Sequence, residues 1–319
     1  MQLNLVIQVY RGGDYWREAW QSVQPCLNYF QGVYISINYS EIQEQDIALI
    51  AGCDSDKVHW ISHKNYMTAR EHGEKIYQWL SSLQLQGHLL ILCHDDLLVK
   101  EGVEEVLSFS GKEDEAVFGS FLYFDQENKY RPIGVRQFSL ASSEAWDSVA
   151  FARFLFDHRC MISVSGIVLS VSAYAKNMPS VLALKHGCGS EFVLMVNPQV
   201  KRIRQTKSPL VKVRLHTESE GHIAHQFPFR LVHDYLFFCL RSFVLISDPQ
   251  TRISITRACA VAIRERPGYA LLAMFPAMYS LLRERWCPLQ IITILIYFFR
   301  MCAVRGYDFL LRKTGMDCR

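Results

Sequence analysis

Apolar positions in the first part of the chain come in short, nearly continuous runs. Residues 3–10 (LNLVIQVY), 32–38 (GVYISIN), 57–61 (KVHWI) and 88–93 (HLLILC) predict strands, and their lack of clean alternation predicts burial on both faces. Between them the spacing turns helical. Residues 15–23 (YWREAWQSV) form one predicted helix, with Pro25 just beyond. Residues 66–83 form another, with Ile76, Trp79, Leu80 and Leu83 on one side. Strand–helix alternation of this kind predicts an α/β fold, a mostly parallel sheet flanked by helices.

The pattern then loosens. Residues 116–124 (AVFGSFLYF) and 161–171 (MISVSGIVLSV) read as strands, and the segment between them carries Tyr130, Phe138, Trp146, Phe151, Phe154 and Phe156. We read it as an irregular, substrate-facing insert. A helix begins at Ser190, and residues 210–215 (LVKVRL) alternate like a strand. From about residue 225 the chain becomes helical and apolar, so the expected domains are 1–224 and 225–319. Residues 271–282 and 288–304 are hydrophobic, punctuated by Arg283, Arg285, Arg300 and Arg305. Neither reaches the roughly 20 apolar residues of a spanning helix. They fit helices lying in a membrane interface, or a buried helical subdomain.

Charge sharpens this. Residues 225–319 hold 13 Lys+Arg against 6 Asp+Glu, and the remainder 21 against 25. A basic, apolar tail on a mildly acidic body points to an anionic membrane surface. Nucleic acid is not expected, because the arginines are spread through apolar helix and no recognition module is visible. Half of the residues are hydrophobic and a fifth charged, which excludes a disordered chain. Ten cysteines without a CxxC pair, and no leader-like N-terminus, lead us to expect reduced thiols in the cytoplasm.

The candidate chemistry lies in residues 89–100, LLILCHDDLLVK, where an apolar strand runs into Asp95 and Asp96. In open parallel sheets, ligands bind beyond the carboxyl ends of the strands. Two adjacent carboxylates there suit a hard divalent cation, which offsets their repulsion. A solvated turn, with Asp96 capping a helix over 97–107, fits the same residues.

The order of features decides more than the pair. Strand LNLVIQVY, a helix ending in Ser22-Val23, strand VYISIN, a polar loop with Asn65 and Ala69-Arg70, and then LLILCHDD resemble the family 2 glycosyltransferases of the GT-A fold, bacterial surface-polysaccharide type. Ser165–Val168, the stretch His186-Gly187-Cys188-Gly189-Ser190-Glu191-Phe192, and Arg214-Leu215-His216-Thr217-Glu218-Ser219 continue the likeness, which covers about residues 1–220. The sequence departs from the family at Gln8, Arg11, Asn38–Glu41, Glu71 and Ser190.

The resemblance implies a Rossmann-like GT-A domain that transfers a hexosyl group from a nucleotide-sugar donor, with inversion. It implies Mn2+ or Mg2+ on Asp96, with His216 as a further ligand, and Asp95 on the ribose or the metal. Val9, Tyr10, Arg11, Asn38 and Arg70 would line the nucleotide. Glu191 would be the general base that takes the acceptor hydroxyl proton. Read locally, Glu191 is equally a first-turn acid behind an N-capping Ser190, and Arg70 a solvated helix face. With the tail, the resemblance implies a glycan or polyprenyl-diphosphate-linked acceptor, O-antigen or capsule assembly, and a place on the inner face of the cell membrane. Two other readings stay open. One is a metal-dependent phosphohydrolase, with His94-Asp95 as an HD pair. The other is a non-catalytic membrane-peripheral scaffold with a decayed transferase fold.

Overall fold

The computed structural model describes residues 1–10, 12–53, 55–125, 146–158, 163–184, 190–216 and 228–265, together with residues 277 and 296. The chain divides into two compact units. The first comprises Met1–Ser148, Met161–Leu182 and Ser190–Gln226, and the second Val149–Cys160, Ala183–Gly189 and Phe227–Arg319.

The first unit is built on a nine-stranded sheet. Strands β1 (Leu3–Val9), β2 (Val33–Ile37), β3 (Val58–Ser62) and β4 (His88–Cys93) pair in the order β3-β2-β1-β4, all parallel. Strand β1 is buried nearly throughout, as its unbroken hydrophobicity requires. Its one deeply buried polar residue, Asn4, donates from Nδ2 to the carbonyl of Gln86 at 2.8 Å. Beyond β4 the sheet continues through β8 (Ile167–Ser170), β6 (Glu115–Asp125) and β9 (Arg202–Leu215) to the two-residue β5 (Leu97–Leu98), with β7 (Trp146–Asp147) on β9.

This far half is not parallel. Strand β8 runs antiparallel to β4 and β6, and β5 and β7 run antiparallel to β9, while β6–β9 is parallel. The expected mostly parallel sheet is therefore mixed. Local periodicity sets a strand's faces but not its direction, which the connections decide.

Helix α1 (Gly13–Val23) buries Trp16, Ala19, Trp20 and Val23, a seven-residue helical stripe, against the sheet. Its N-terminus has no side-chain cap of its own. Instead Asp46, on α2 (Gln43–Ala51), accepts the Gly13 N–H at 2.9 Å, an anion at the positive end of the helix. Helix α3 (Ala69–Ser82) opens with a reciprocal capping box between Thr68 and Glu71 and buries His72, Ile76 and Leu80. Helix α4 (Lys100–Ser108) starts after β5 with Val99 at its N-cap position and no side-chain cap, so the alternative reading of Asp96 as a helix cap does not hold. Among the described residues of the predicted strand over 161–171, β8 is the strand, and Val171 begins helix α6 (Val171–Ala183), which follows α5 (Ser148–His158). Short α7 (Ser190–Met195) opens where a helix was expected.

In the second unit, helices α8 (Pro228–Leu245) and α9 (Pro249–Glu265) bury Leu236, Phe237, Ile255 and Cys259. Phe156 stacks on Phe238 at 5.1 Å between ring centroids. Among the described residues no helix is long and apolar enough to cross a membrane. Apart from residue 277, which is helical and buried, and residue 296, which is helical and exposed, the apolar tail runs lie outside the described residues.

Candidate active site

The carboxyl ends of β1, β2 and β4 share one edge of the sheet. Ladder-like hydrogen bonds continue past them, from Asn38 N to the Val9 carbonyl (2.8 Å) and from His94 N to the Gln8 carbonyl (3.2 Å). The segment Cys93–Asp96 is thereby held by its backbone where β4 stops.

Two carboxylates share this turn and are held differently. Asp96 is deeply buried, and its Oδ1 accepts the Arg214 N–H at 2.9 Å. Burial and then the neighbouring charge of Asp95 push its carboxyl well above the ordinary range, against the pull of the Ser165 hydroxyl and of Arg214. Asp95 accepts from His216 Nε2 at 2.9 Å. Burial raises its pKa, but the His216 hydrogen bond and the charges of His94 and His216 outweigh burial and hold the carboxyl below its ordinary value. The pair behaves as one site with one readily ionised and one reluctant acid.

Arg214 ties the site to α1. Its guanidinium lies between the rings of Tyr15 (4.6 Å to the centroid) and Phe124 (4.4 Å). It donates from Nε to the Asp95 carbonyl at 3.0 Å and makes an ion pair with Glu18. Tyr15 also packs on the His216 ring, with centroids 4.9 Å apart. On the other side, the Ser165 hydroxyl accepts the Cys93 N–H at 2.9 Å.

The donor set has a definite character. Cys93 Sγ and one oxygen each from Asp95 and Asp96 lie within 4.8 Å of one another, so the three form one cluster of potential ligands. Two adjacent carboxylates, one of them deeply buried, with a thiol beside them are donors that fit a divalent cation. His216, expected as a ligand, instead meets Asp95 through Nε2, and its buried Nδ1 has no hydrogen-bond partner among the described residues.

The other expected residues are distributed around this centre. Glu191 lies in the first turn of α7, and its charge, like that of Asp96, raises the pKa of the Tyr123 phenol beyond the effect of burial. Glu191 and Asp96 thus act on one side chain although 95 positions apart in the sequence. Tyr10 shares a 2.5 Å hydrogen bond with the Tyr66 hydroxyl, and Val9 is buried. Asn38 is a buried clamp on the loop before α3, with Nδ2 on the Met67 carbonyl (2.7 Å) and Oδ1 on the Met67 N–H (3.1 Å). Arg70 is exposed in the first turn of α3, and the side chain that orients Asp95 is His216. Arg11 lies outside the described residues.

Sequence reasoning did not single out Cys93, Tyr15, Glu18, Asp46, Tyr123 or the hydroxyl of Ser165. For Tyr15, Glu18 and Ser165 no local pattern could do so, since they meet Arg214, His216 and Cys93 from far along the chain. For the HD reading, His94 Nδ1 is 4.0 Å from Asp95 Oδ1, but the pair follows a strand. Among the described residues the cation-ready cluster contains no histidine.

No protein-family model matches this sequence, and no curated protein does. Solved structures do. The crystal structure of GalNAc-T7 with UDP, GalNAc and Mn2+ superposes with a TM-score of 0.50 at 8% identity, over 84% of this chain and 56% of that one. The chain has the GT-A fold. Its length covers little more than half of that relative. The mannosyltransferase PcManGT from Pyrobaculum calidifontis, solved with GDP-Man and Mn2+, gives a TM-score of 0.48 at 9% identity, over 97% of this chain and 82% of that one. At 8% identity the likeness to GalNAc-T7 is one of fold, and in this chain the acid pair lies in the turn just past the end of the fourth strand.

Proposed function

We propose that the protein is a divalent-metal-dependent glycosyltransferase. It moves a hexosyl group from a nucleotide-sugar donor to a hydroxyl of a glycan or lipid-linked acceptor, with inversion. The observation that carries this reading is the clustering of Asp95, Asp96 and Cys93 at the carboxyl end of β4. That end of the strand is where an α/β sheet takes its ligands. The GT-A neighbours, solved with UDP or GDP-Man and with Mn2+, support the same reading.

Asp96 and Asp95 would hold Mn2+ or Mg2+. When bound, the cation neutralises charge developing on the leaving diphosphate. The chain's own residues do the rest. His216 fixes the orientation of Asp95, and Arg214 holds the backbone and carboxylate of the acid turn from β9. Glu191 takes the proton of the acceptor hydroxyl as it attacks. A carboxylate suits that role because a sugar hydroxyl is a weak nucleophile until its proton has somewhere to go. Its influence on Tyr123, shared with Asp96, supports a common site. Val9, Tyr10, Arg11, Asn38 and Arg70 frame the nucleotide side. In this reading residues 1–224 are the catalytic domain. Residues 225–319 form a basic, apolar helical region that rests on an anionic membrane, and the protein works on the cytoplasmic face in surface-polysaccharide assembly.

The test is a panel of UDP-, GDP- and dTDP-sugars with the full chain, with and without Mn2+ or Mg2+, reading donor hydrolysis and transfer. Glu191→Gln keeps donor binding and loses transfer by about 100-fold or more, and Asp96→Ala loses metal-dependent donor binding. Failure of every nucleotide to bind in any metal would refute the transferase reading. Flotation of the full chain with anionic but not neutral vesicles tests the membrane arm separately.

A further inference from the structure

Cys93 is the last residue of β4, and the sequence motif gave it no role. Its backbone is fixed twice. It pairs in register with Gln8 of β1, and its N–H donates to the Ser165 hydroxyl at 2.9 Å. The side chain is half-buried and not in a disulfide. Its Sγ and one oxygen each of Asp95 and Asp96 lie within 4.8 Å of one another. Three ligands about 2.1–2.3 Å from one ion sit about 3–4 Å from each other, so each atom needs to move inward by about 1 Å or less to share an ion. His94, between them in sequence, is not in this group, and His216 is taken up by Asp95.

We propose that Cys93 supplies a thiolate ligand to the cation held by Asp95 and Asp96, so that the site selects Mn2+ and more thiophilic divalent ions over Mg2+. The inference rests on the reading that this end of β4 takes a divalent cation, and it adds which cation. Carboxylates alone suit Mg2+, Ca2+ and Mn2+, whereas a thiolate shifts preference to softer ions. The step is an exchange without redox change. At Cys93 the S–H bond breaks, the S–M bond forms and the thiol proton leaves to solvent, in addition to any proton that Asp96 gives up as it becomes a ligand.

The test uses the full-length metal-free protein. Titration with Cd2+ is followed by thiolate-to-metal charge-transfer absorption in the ultraviolet, and Mn2+ and Mg2+ affinities are measured by calorimetry in two buffers to count protons released. In Cys93→Ser the Cd2+ band falls and one fewer proton is released. The Mn2+:Mg2+ affinity ratio drops about tenfold or more. Alkylation of wild-type Cys93, read by peptide mass spectrometry, slows about tenfold in saturating Mn2+. That arm holds even if the serine variant misfolds. An unchanged band and affinity ratio in Cys93→Ser, or alkylation indifferent to Mn2+, overturns the thiolate and leaves the transferase reading standing. Absence of cation binding to the wild type overturns both.

Discussion

Arg214 is buried by two aromatic faces and uses three of its N–H directions at once. Its backbone N–H meets Asp96, its Nε the Asp95 carbonyl, and its Nη2 Glu18. Lysine has one ammonium and no planar fork, so it cannot stack between Tyr15 and Phe124 while reaching both acceptors. Arg214→Lys is expected to cost about 1–3 kcal/mol, read as a lower urea midpoint. An unchanged midpoint would mean that the guanidinium is not what holds the acid turn. A second residue-scale feature is the Ser36 hydroxyl, which lies 2.8 Å from His72 Nε2 and 3.0 Å from His63 Nε2. Burial, then the charges of His63 and His94, bring His72 from 6.5 down to about 3. Burial lowers His63 and His88 as well. Such a histidine stays neutral in the folded chain while the unfolded chain takes up a proton. Its stabilising contribution is therefore complete above pH 6.5 and lost as pH falls toward about 3. The slope is about 1.4 kcal/mol per pH unit for each histidine. His72→Gln should flatten the fall in unfolding free energy between about pH 6.5 and pH 5, and an undiminished slope would assign the acid sensitivity elsewhere.

Among the elements, α4 and β9 pack closely at Gly102. A Cβ on Gly102 would sit 2.4 Å from Leu210 Cα and 2.4 Å from the Pro209 carbonyl, both backbone atoms that cannot swing away. In an ordinary helix Gly→Ala stabilises, but here overpacking prevails. Gly102→Ala is expected to lose about 1–3 kcal/mol, measured as a lower melting temperature. Glu105, one turn along, accepts the N–H groups of Lys207 and Ser208 at 2.8 Å each and pins β9 to the same helix. The first four strands were legible as short, nearly unbroken apolar runs, and helices α1 and α3 by their helical spacing of apolar positions. Helix α2 was not read, since its only buried residues are Asp46 and Ile50 and it presents no apolar stripe. Helix α6 was not read: the strand predicted over 161–171 reached only its first residue, Val171, so the boundary was placed one residue late and the helix beyond it was missed.

At the scale of the molecule, the parallel half of the sheet and the acid pair at its edge could be read from order alone, because strand ends bring ligand-binding residues to one side. What lay hidden is long-range. Ser165 reaches Cys93 across 72 positions and Glu18 reaches Arg214 across 196, and no sequence window spans such pairs. The same applies to the second unit, where Val149–Cys160, from mid-chain, group with Phe227–Arg319. Phe151 and Phe156 are buried there, the latter against Phe238. A chain ended at Gln226 strips away that partner. It is expected to elute as aggregate on size exclusion where the full chain does not, and a clean monomer of the shortened chain would show that the mid-chain aromatics do not need the tail.

Strand β9 runs 14 residues, pairs with β5, β6 and β7, and ends on Arg214 and the approach to His216. Past the register shifts between Gln205 and Val211, the last residues of β9 pair continuously with β6 from Val211 to Leu215 and with β5 at Val211 and Lys212, so they cannot come free without loosening those neighbours and their amides open as part of one cooperative block. In heavy water, the Arg214 amide, whose hydrogen bond ends on Asp96, should therefore exchange as slowly as the core of the sheet. The acid turn is then as rigid as the interior of the fold, and whatever opens to admit a substrate must be hinged somewhere else.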